Sequence, residues 1–256
     1  VEYARDEAEL RDKMSIFAGK CAVLLQEYFP GAGIGVEVLA HEGQPLYAFQ
    51  HRRLREVPLT GGASSLRQSE ALDPQLYQYT LELIGALNWT GLAMAEFKQN
   101  ERGDARLMEI NGRIWGSLPV AIAAGIDFPV ALCELTLNGP PDNEASATLP
   151  NYRHGVRVQN FQKEVSWILR VLRGGDNHPV MKLPKRREAV GAIFDLLRPS
   201  YKFDILSWDD PMPAVQILRN GLRLGLRSIA GRFTSQAARK PIDQNGKGQA
   251  RDLAEL

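Results

Sequence analysis

The strongest constraint in this sequence is a run of alternating residues between Thr90 and Pro119, TGLAMAEFKQNERGDARLMEINGRIWGSLP. Leu92, Met94, Glu96 and Lys98 alternate with Ala93, Ala95 and Phe97. A period of two is that of a β-strand, in which successive side chains face opposite ways. The next five residues, Asn100-Glu101-Arg102-Gly103-Asp104, are polar and contain Gly, as a hairpin connection requires. A second strand then places Leu107, Glu109, Asn111 and Arg113 on one face, with Met108 and Ile110 opposite. Pairing through that turn brings Glu96 near Glu109 and Asn111. Carboxylates held that close in an apolar sheet repel unless something positive lies between them. Two carboxylates and an amide oxygen are hard donors that suit Mg²⁺ or Mn²⁺. Mg²⁺ is usually held by one or two carboxylates plus substrate phosphates, so the arrangement suggests a nucleotide site. The same residues also suit an ordinary solvated hairpin face, and spacing alone does not choose between the two.

E-F-K followed by L-M-E-I-N-G-R resembles the metal-binding end of the ATP-grasp superfamily, the carboxylate–amine and carboxylate–thiol ligases. The resemblance implies that Glu96, Glu109 and Asn111 are metal ligands bridging the phosphates of ATP. It also implies that Arg113 is the basic residue near the transferred phosphate. L-Q-E-Y-F-P-G-A-G-I-G-V-E-V resembles the family hinge, where the strand end meets the adenine edge; Gln26, Glu27, Tyr28 and Phe29 occupy that place. The ribose-binding carboxylate expected shortly after falls near Gly33, with Glu37 further along, so this chain departs from the family there.

Composition narrows the remaining classes. The 256 residues are 44% hydrophobic, enough for one large domain or two small ones, and the formal net charge of +1 gives no whole-chain case for nucleic acid or an anionic membrane. Cys21 and Cys133 each sit in an apolar run and are expected to be buried thiols, consistent with a reducing cytoplasm. No apolar run approaches the roughly 20 residues of a membrane-spanning helix. The four His show neither metal-finger spacing nor a pairing with Ser.

Taken in order, Val1–Ala4 is expected to be a strand and Asp6 to cap a helix running to about Gly19. Ala22–Tyr28 is expected to be a buried strand, with two more at Ile34–Leu39 and Leu46–Arg53 around His41-Glu42-Gly43-Gln44. His51-Arg52-Arg53-Leu54-Arg55 leads into a Gly/Ser/Thr loop, Thr60 to Ser65, that would offer guanidinium and backbone N–H groups to an oxyanion. A solvated basic strand end is the alternative. H-R-R…T-G-G-A-S-S is similar to strings in a group of ATP-grasp proteins, which implies roles for Arg52, Arg53 and Ser64 toward phosphate or acceptor. Asp73 and Pro74 open a helix to Leu87, and Asp127 caps another from Phe128 to Leu137. A polar, Pro-rich connector spans Asn138–Asn151, and a strand is expected at His154–Phe161. Helices are expected at Phe161–Arg173, Leu183–Leu197 and from Asp209-Asp210-Pro211 to about Ala230, the last carrying Arg219, Arg223 and Arg227 on one stripe. From Arg232 a polar, disordered tail is expected.

The expectation is therefore an α+β chain of ATP-grasp fold, an antiparallel sheet flanked by helices. Its divisions are a partial ATP-grasp domain at 1–140, a mainly helical extension at 150–231 and the tail at 232–256. Because the chain opens on Val and inside an apparent strand, it reads as a fragment; the resemblance then implies that the Gly-rich loop and phosphate-binding lysines are missing and that the fragment is expected to be inactive or impaired. The resemblance implies ATP and Mg²⁺ (or Mn²⁺) as cofactors. It implies acyl-phosphate chemistry on small carboxylate and amine or thiol substrates, with Arg113 and Arg53 offsetting the charge of the transferred group. Two other readings stay open: a carboxylase-like protein using bicarbonate, and a nucleotide-binding module without turnover. Assembly of identical copies is left open.

Overall fold

The structure, a computed structural model, describes residues 2–141, 149–174, 180–181, 183–206, 210–216 and 219. Contacts divide the chain into two units, Val1–Asp204 and Ile205–Leu256. The second is described only in part, with a helical turn at 212–216. Arg223, Arg227 and the tail from Arg232 lie outside the described residues, as does 142–148 of the connector.

The first unit is built on a seven-stranded sheet of order β5-β4-β1-β2-β3-β6-β7, comprising β1 (Ala32–His41), β2 (Gln44–Val57), β3 (Ala63–Glu70), β4 (Gly91–Gln99), β5 (Ala105–Asn111), β6 (Arg157–Gln159) and β7 (Tyr201–Phe203). All neighbours are antiparallel except β6 and β7. The β1–β2 turn closes on Glu42 and Gly43, whose φ values of 47° and 76° match the two-residue turn that best follows strand twist.

Alternation along the strands divides the buried residues between two layers. Ile34, Val36, Ala95 and Phe97 pack on Leu76, and Val38, Ala40, Ala48 and Ala93 pack on Ile84. Leu76 and Ile84 belong to α2 (Pro74–Ala86), where Asp73 accepts from the backbone of Gln75 and Leu76 and Pro74 starts the helix. On the other face Leu39, Phe49, Leu92 and Met94 meet α3 (Leu118–Ala124) and α4 (Phe128–Asn138) through Val120, Ala121 and Phe128. Trp115 closes this layer edge-on to Phe128, with ring centroids 5.4 Å apart. Further along, α5 (Phe161–Leu172) and α6 (Arg186–Leu196) join through Trp167, Ile168, Val171, Ala189 and Ala192.

Several expectations change. Residues 2–4 and 22–28 are not strands; the apolar run from Ala22 takes part in no strand pairing among the described residues, and Leu24 and Leu25 are 82% and 63% exposed. Short apolar runs carry no reliable period, which is why this one misleads. The N-terminal helix, α1 (Glu7–Phe17), stops short of Gly19. Residues 63–65, expected to be loop, begin β3. Cys21 and Cys133 are both exposed. Cys133 lies on the outer side of α4, whose buried positions are Phe128, Ala131 and Leu135.

Candidate functional site

The site lies on the α3–α4 face of the sheet, where Glu37, Phe49, His51, Met94 and Glu96 project. Glu96 is paired opposite Glu109, and Met94 opposite Asn111. The amide Nδ2 of Asn111 donates to Glu96 Oε1 at 3.2 Å and to Glu109 Oε1 at 2.9 Å. The hairpin thus brings together the three residues its spacing predicts. One detail differs. The register shifts between Glu96 and Phe97, so Leu107 stands opposite Phe97 rather than sharing the alternation of Glu109. Such a shift re-aims side chains locally.

Arg53 reaches into the same cluster from β2. Its Nη2 lies 2.6 Å from Glu96 Oε2, and its Nη1 lies 3.3 Å from Glu56 Oε1 and 3.2 Å from the carbonyl of Gly62. Glu56 in turn takes the ammonium of Lys98 at 3.1 Å through Oε2. Burial alone would lower the Arg53 pKa, but Glu96 and Glu56 more than offset it, and the guanidinium is held above its ordinary value. The reach across β1 depends on Gly33. A Cβ there would sit 2.9 Å from Arg53 Cδ and 3.1 Å from Glu56 Oε1.

Deeper in the same face, His51 Nδ1 lies 3.0 Å from Glu37 Oε1, both side chains wholly buried. The Ser117 hydroxyl donates to the same oxygen at 3.2 Å. Ser117, just before α3, makes no side-chain cap bond to its own helix. Glu37, His51, Glu56 and Lys98 are absent from the sequence-predicted site. The alternation Gly33-Gly35-Glu37 against Ile34-Val36-Val38 is the signal that places a polar row on one face of β1.

The other predicted residues are placed elsewhere. Arg52 is opposite Ile34, on the α2 face, where it pairs with Glu70 at 2.8 Å and Gln99 at 3.3 Å. Adjacent strand residues alternate, so Arg52 and Arg53 cannot serve one site. Ser64 is buried in β3, opposite Glu56. Arg55 is claimed by Glu164 and Asp195. Arg113 lies past the end of β5, exposed, donating to the carbonyl of Ile114 at 3.2 Å. Gln26 and Glu27 are exposed in irregular chain; Tyr28 meets Tyr3 edge-on, and Phe29 lies under Arg106.

Among the described residues no three of His, Cys, Asp or Glu converge as a metal group. The donor set is two carboxylates and one amide, all hard, with both carboxylates aimed at a single nitrogen. That composition fits Mg²⁺ or Mn²⁺ when phosphate and water supply the remaining ligands. No single helix among the described residues is long and apolar enough to cross a membrane.

A family model described as ATP-grasp in the biosynthetic pathway with Ter operon matches residues 20–164. No curated protein matches the sequence. Among solved structures, similarity is found to a biotin carboxylase–β,γ-ATP complex from Campylobacter jejuni, at 16% identity over 52% of this chain and 30% of that one, with a TM-score of 0.39. A complete multifunctional pyruvate carboxylase from Rhizobium etli is similar at 20% identity over 59% and 15%, TM-score 0.41. An L-amino acid ligase from Bacillus licheniformis is similar at 18% identity over 50% and 33%, TM-score 0.37. This chain spans a third or less of the length of each of these three.

Proposed function

Since this chain belongs to the ATP-grasp family of the biosynthetic pathway with Ter operon, we propose that it carries the metal-facing part of an ATP-dependent ligase. The reaction would join a small carboxylate to an amine or thiol through an acyl phosphate. The γ-phosphoryl group passes from ATP to the carboxylate oxygen and ADP leaves. The amine or thiol then attacks the acyl carbon, inorganic phosphate departs, and the nucleophile loses a proton. The observation that carries this reading is the convergence of Glu96 and Glu109 on the amide of Asn111.

Glu96, Glu109 and Asn111 would hold Mg²⁺ or Mn²⁺. Bound there, the ion would supply positive charge to phosphate oxygens during transfer. Asn111 contributes through its amide, which carries an oxygen acceptor beside the nitrogen now donating. Arg113, exposed two residues beyond, has a guanidinium able to turn toward a phosphoryl group. Phosphoryl transfer of this kind asks the protein to position groups and screen charge, and requires no nucleophile from the chain.

The test is Glu109→Ala, with Mg·ATP binding followed by calorimetry and folding by circular dichroism. Loss of the Mg²⁺-dependent part of binding in a folded variant supports the reading. Unchanged Mg·ATP affinity overturns it. ADP release screened over amino acids and short carboxylates then identifies the substrate pair; release stimulated by bicarbonate alone would instead indicate carboxyphosphate chemistry.

A further inference from the structure

We propose that Arg53 is an internal counter-ion that holds Glu96 when no divalent ion is present and gives it up when one binds. The inference rests on the metal assignment above, and makes Arg53 a positioning residue rather than a group aimed at the phosphoryl. Glu96 is only 15% exposed, and both its oxygens have donors: Asn111 Nδ2 on Oε1 and Arg53 Nη2 on Oε2. A largely buried carboxylate of this kind needs a compensating charge at all times. Arg53 supplies it at 2.6 Å, in the position where a divalent ion must compete.

The guanidinium also has a second seat. Its Nη1 already touches Glu56 Oε1 and the Gly62 carbonyl, so release from Glu96 leaves it paired. Gly33 provides the floor over which this side chain lies; any Cβ there meets Arg53 and Glu56 at once. The charge balance points the same way. Glu56, Glu96 and Glu109 carry three negative charges against two positive charges on Arg53 and Lys98. Removing Arg53 therefore leaves the ion facing a more negative cluster, which strengthens attraction for a cation while weakening it for nucleotide phosphate.

The experiment uses Mn²⁺ alone, titrated into the full chain and followed by the paramagnetic resonance signal of the free ion, with circular dichroism to verify folding. Arg53→Met should bind Mn²⁺ about tenfold more tightly than the original chain, from loss of one like charge at short range. Arg53→Lys, which keeps a positive charge at that position, should gain far less than Arg53→Met. Adding Glu96→Gln to Arg53→Met should abolish the gain. A merely structural Arg53 would weaken Mn²⁺ binding in both variants. If Arg53→Met does not fold, Arg53→Gln serves with the same expected gain. Mn²⁺ binding by the original chain with no gain in the folded charge-removing variant overturns this inference and leaves the metal assignment standing. Absence of Mn²⁺ binding in every folded form overturns both.

Discussion

His51 stands against Glu37 at 3.0 Å with neither side chain exposed, and among the described residues Glu37 Oε2 and His51 Nε2 have no hydrogen-bond partner. A buried pair of this kind contributes little net stability, but losing one member strands the other. His51→Ala should therefore cost about 3–5 kcal/mol by urea unfolding, from a buried Glu37 left with the Ser117 hydroxyl as its donor and from the space vacated above Gly35. A loss below about 1 kcal/mol would show that the pair is not coupled.

Gly35 is tied to the same pair. A Cβ at that position would lie 2.4 Å from His51 Cε1 and 3.1 Å from Met94 Sδ, both buried. Gly35→Ala should destabilise by about 1–3 kcal/mol through overpacking. Gly85, inside α2 with open space where a methyl group would point, offers the contrast: Gly85→Ala should stabilise by about 0.5–1 kcal/mol. Equal effects at the two glycines would contradict the packing described.

Arg55 joins the sheet to α5 and α6. Its Nε lies 3.2 Å from the wholly buried Glu164, its Nη2 lies 2.6 Å from Asp195, and its guanidinium stacks over Trp167. Burial raises the Glu164 pKa, while Ser65 and Arg55 pull it back. Arg55→Ala should cost about 3–5 kcal/mol at neutral pH. Without Arg55 the Glu164 pKa rises further in the folded state only. A raised folded pKa favours folding at acidic pH and is lost as pH rises, so the variant should recover part of its deficit on acidification. A deficit that grows toward acid would refute this.

Tyr152 donates to the Glu70 carbonyl at 2.7 Å and accepts from the Gln50 amide at 3.2 Å. Burial, with Glu37 and Glu70 nearby, pushes its pKa up from 10.0 to about 12. The unfolded chain ionises this phenol first, so its contribution is complete below pH 10 and is lost as pH rises to about 12. Tyr152→Phe should cost about 1 kcal/mol per lost bond at neutral pH. Its unfolding midpoint should then fall less steeply than that of the original chain across the alkaline window. Parallel alkaline profiles would remove Tyr152 as a source of that dependence.

The hairpin at 91–111 was legible because Glu96 and Lys98, and Glu109 and Asn111, fall two residues apart within otherwise apolar runs and a Gly-containing turn separates those runs. Helix starts at Asp6, Asp73 and Asp127 were legible because an oxygen at that position satisfies free backbone N–H groups. The strand at Ala63–Glu70 was not, since Ser and Gly read locally as a turn and its pairing partners in β2 and β6 supply the order. The Ala22–Tyr28 run failed in the opposite sense, being apolar enough for a strand and without a neighbour among the described residues to pair with.

The chain sequence by itself determined most of which side chains share a strand face, because extended backbone repeats every two residues; the register shift beside Glu96 is the exception. The two-residue repeat thereby brought Glu96, Glu109 and Asn111 together. Which residues arrive from other strands was decided in three dimensions: Arg53 joins Glu96 while its neighbour Arg52 faces α2, and Arg55 is drawn away to α5 and α6. Those outcomes follow from the β1–β2 and β1–β4 registers and from glycines that leave room for side chains to cross, a long-range geometry that local spacing does not encode.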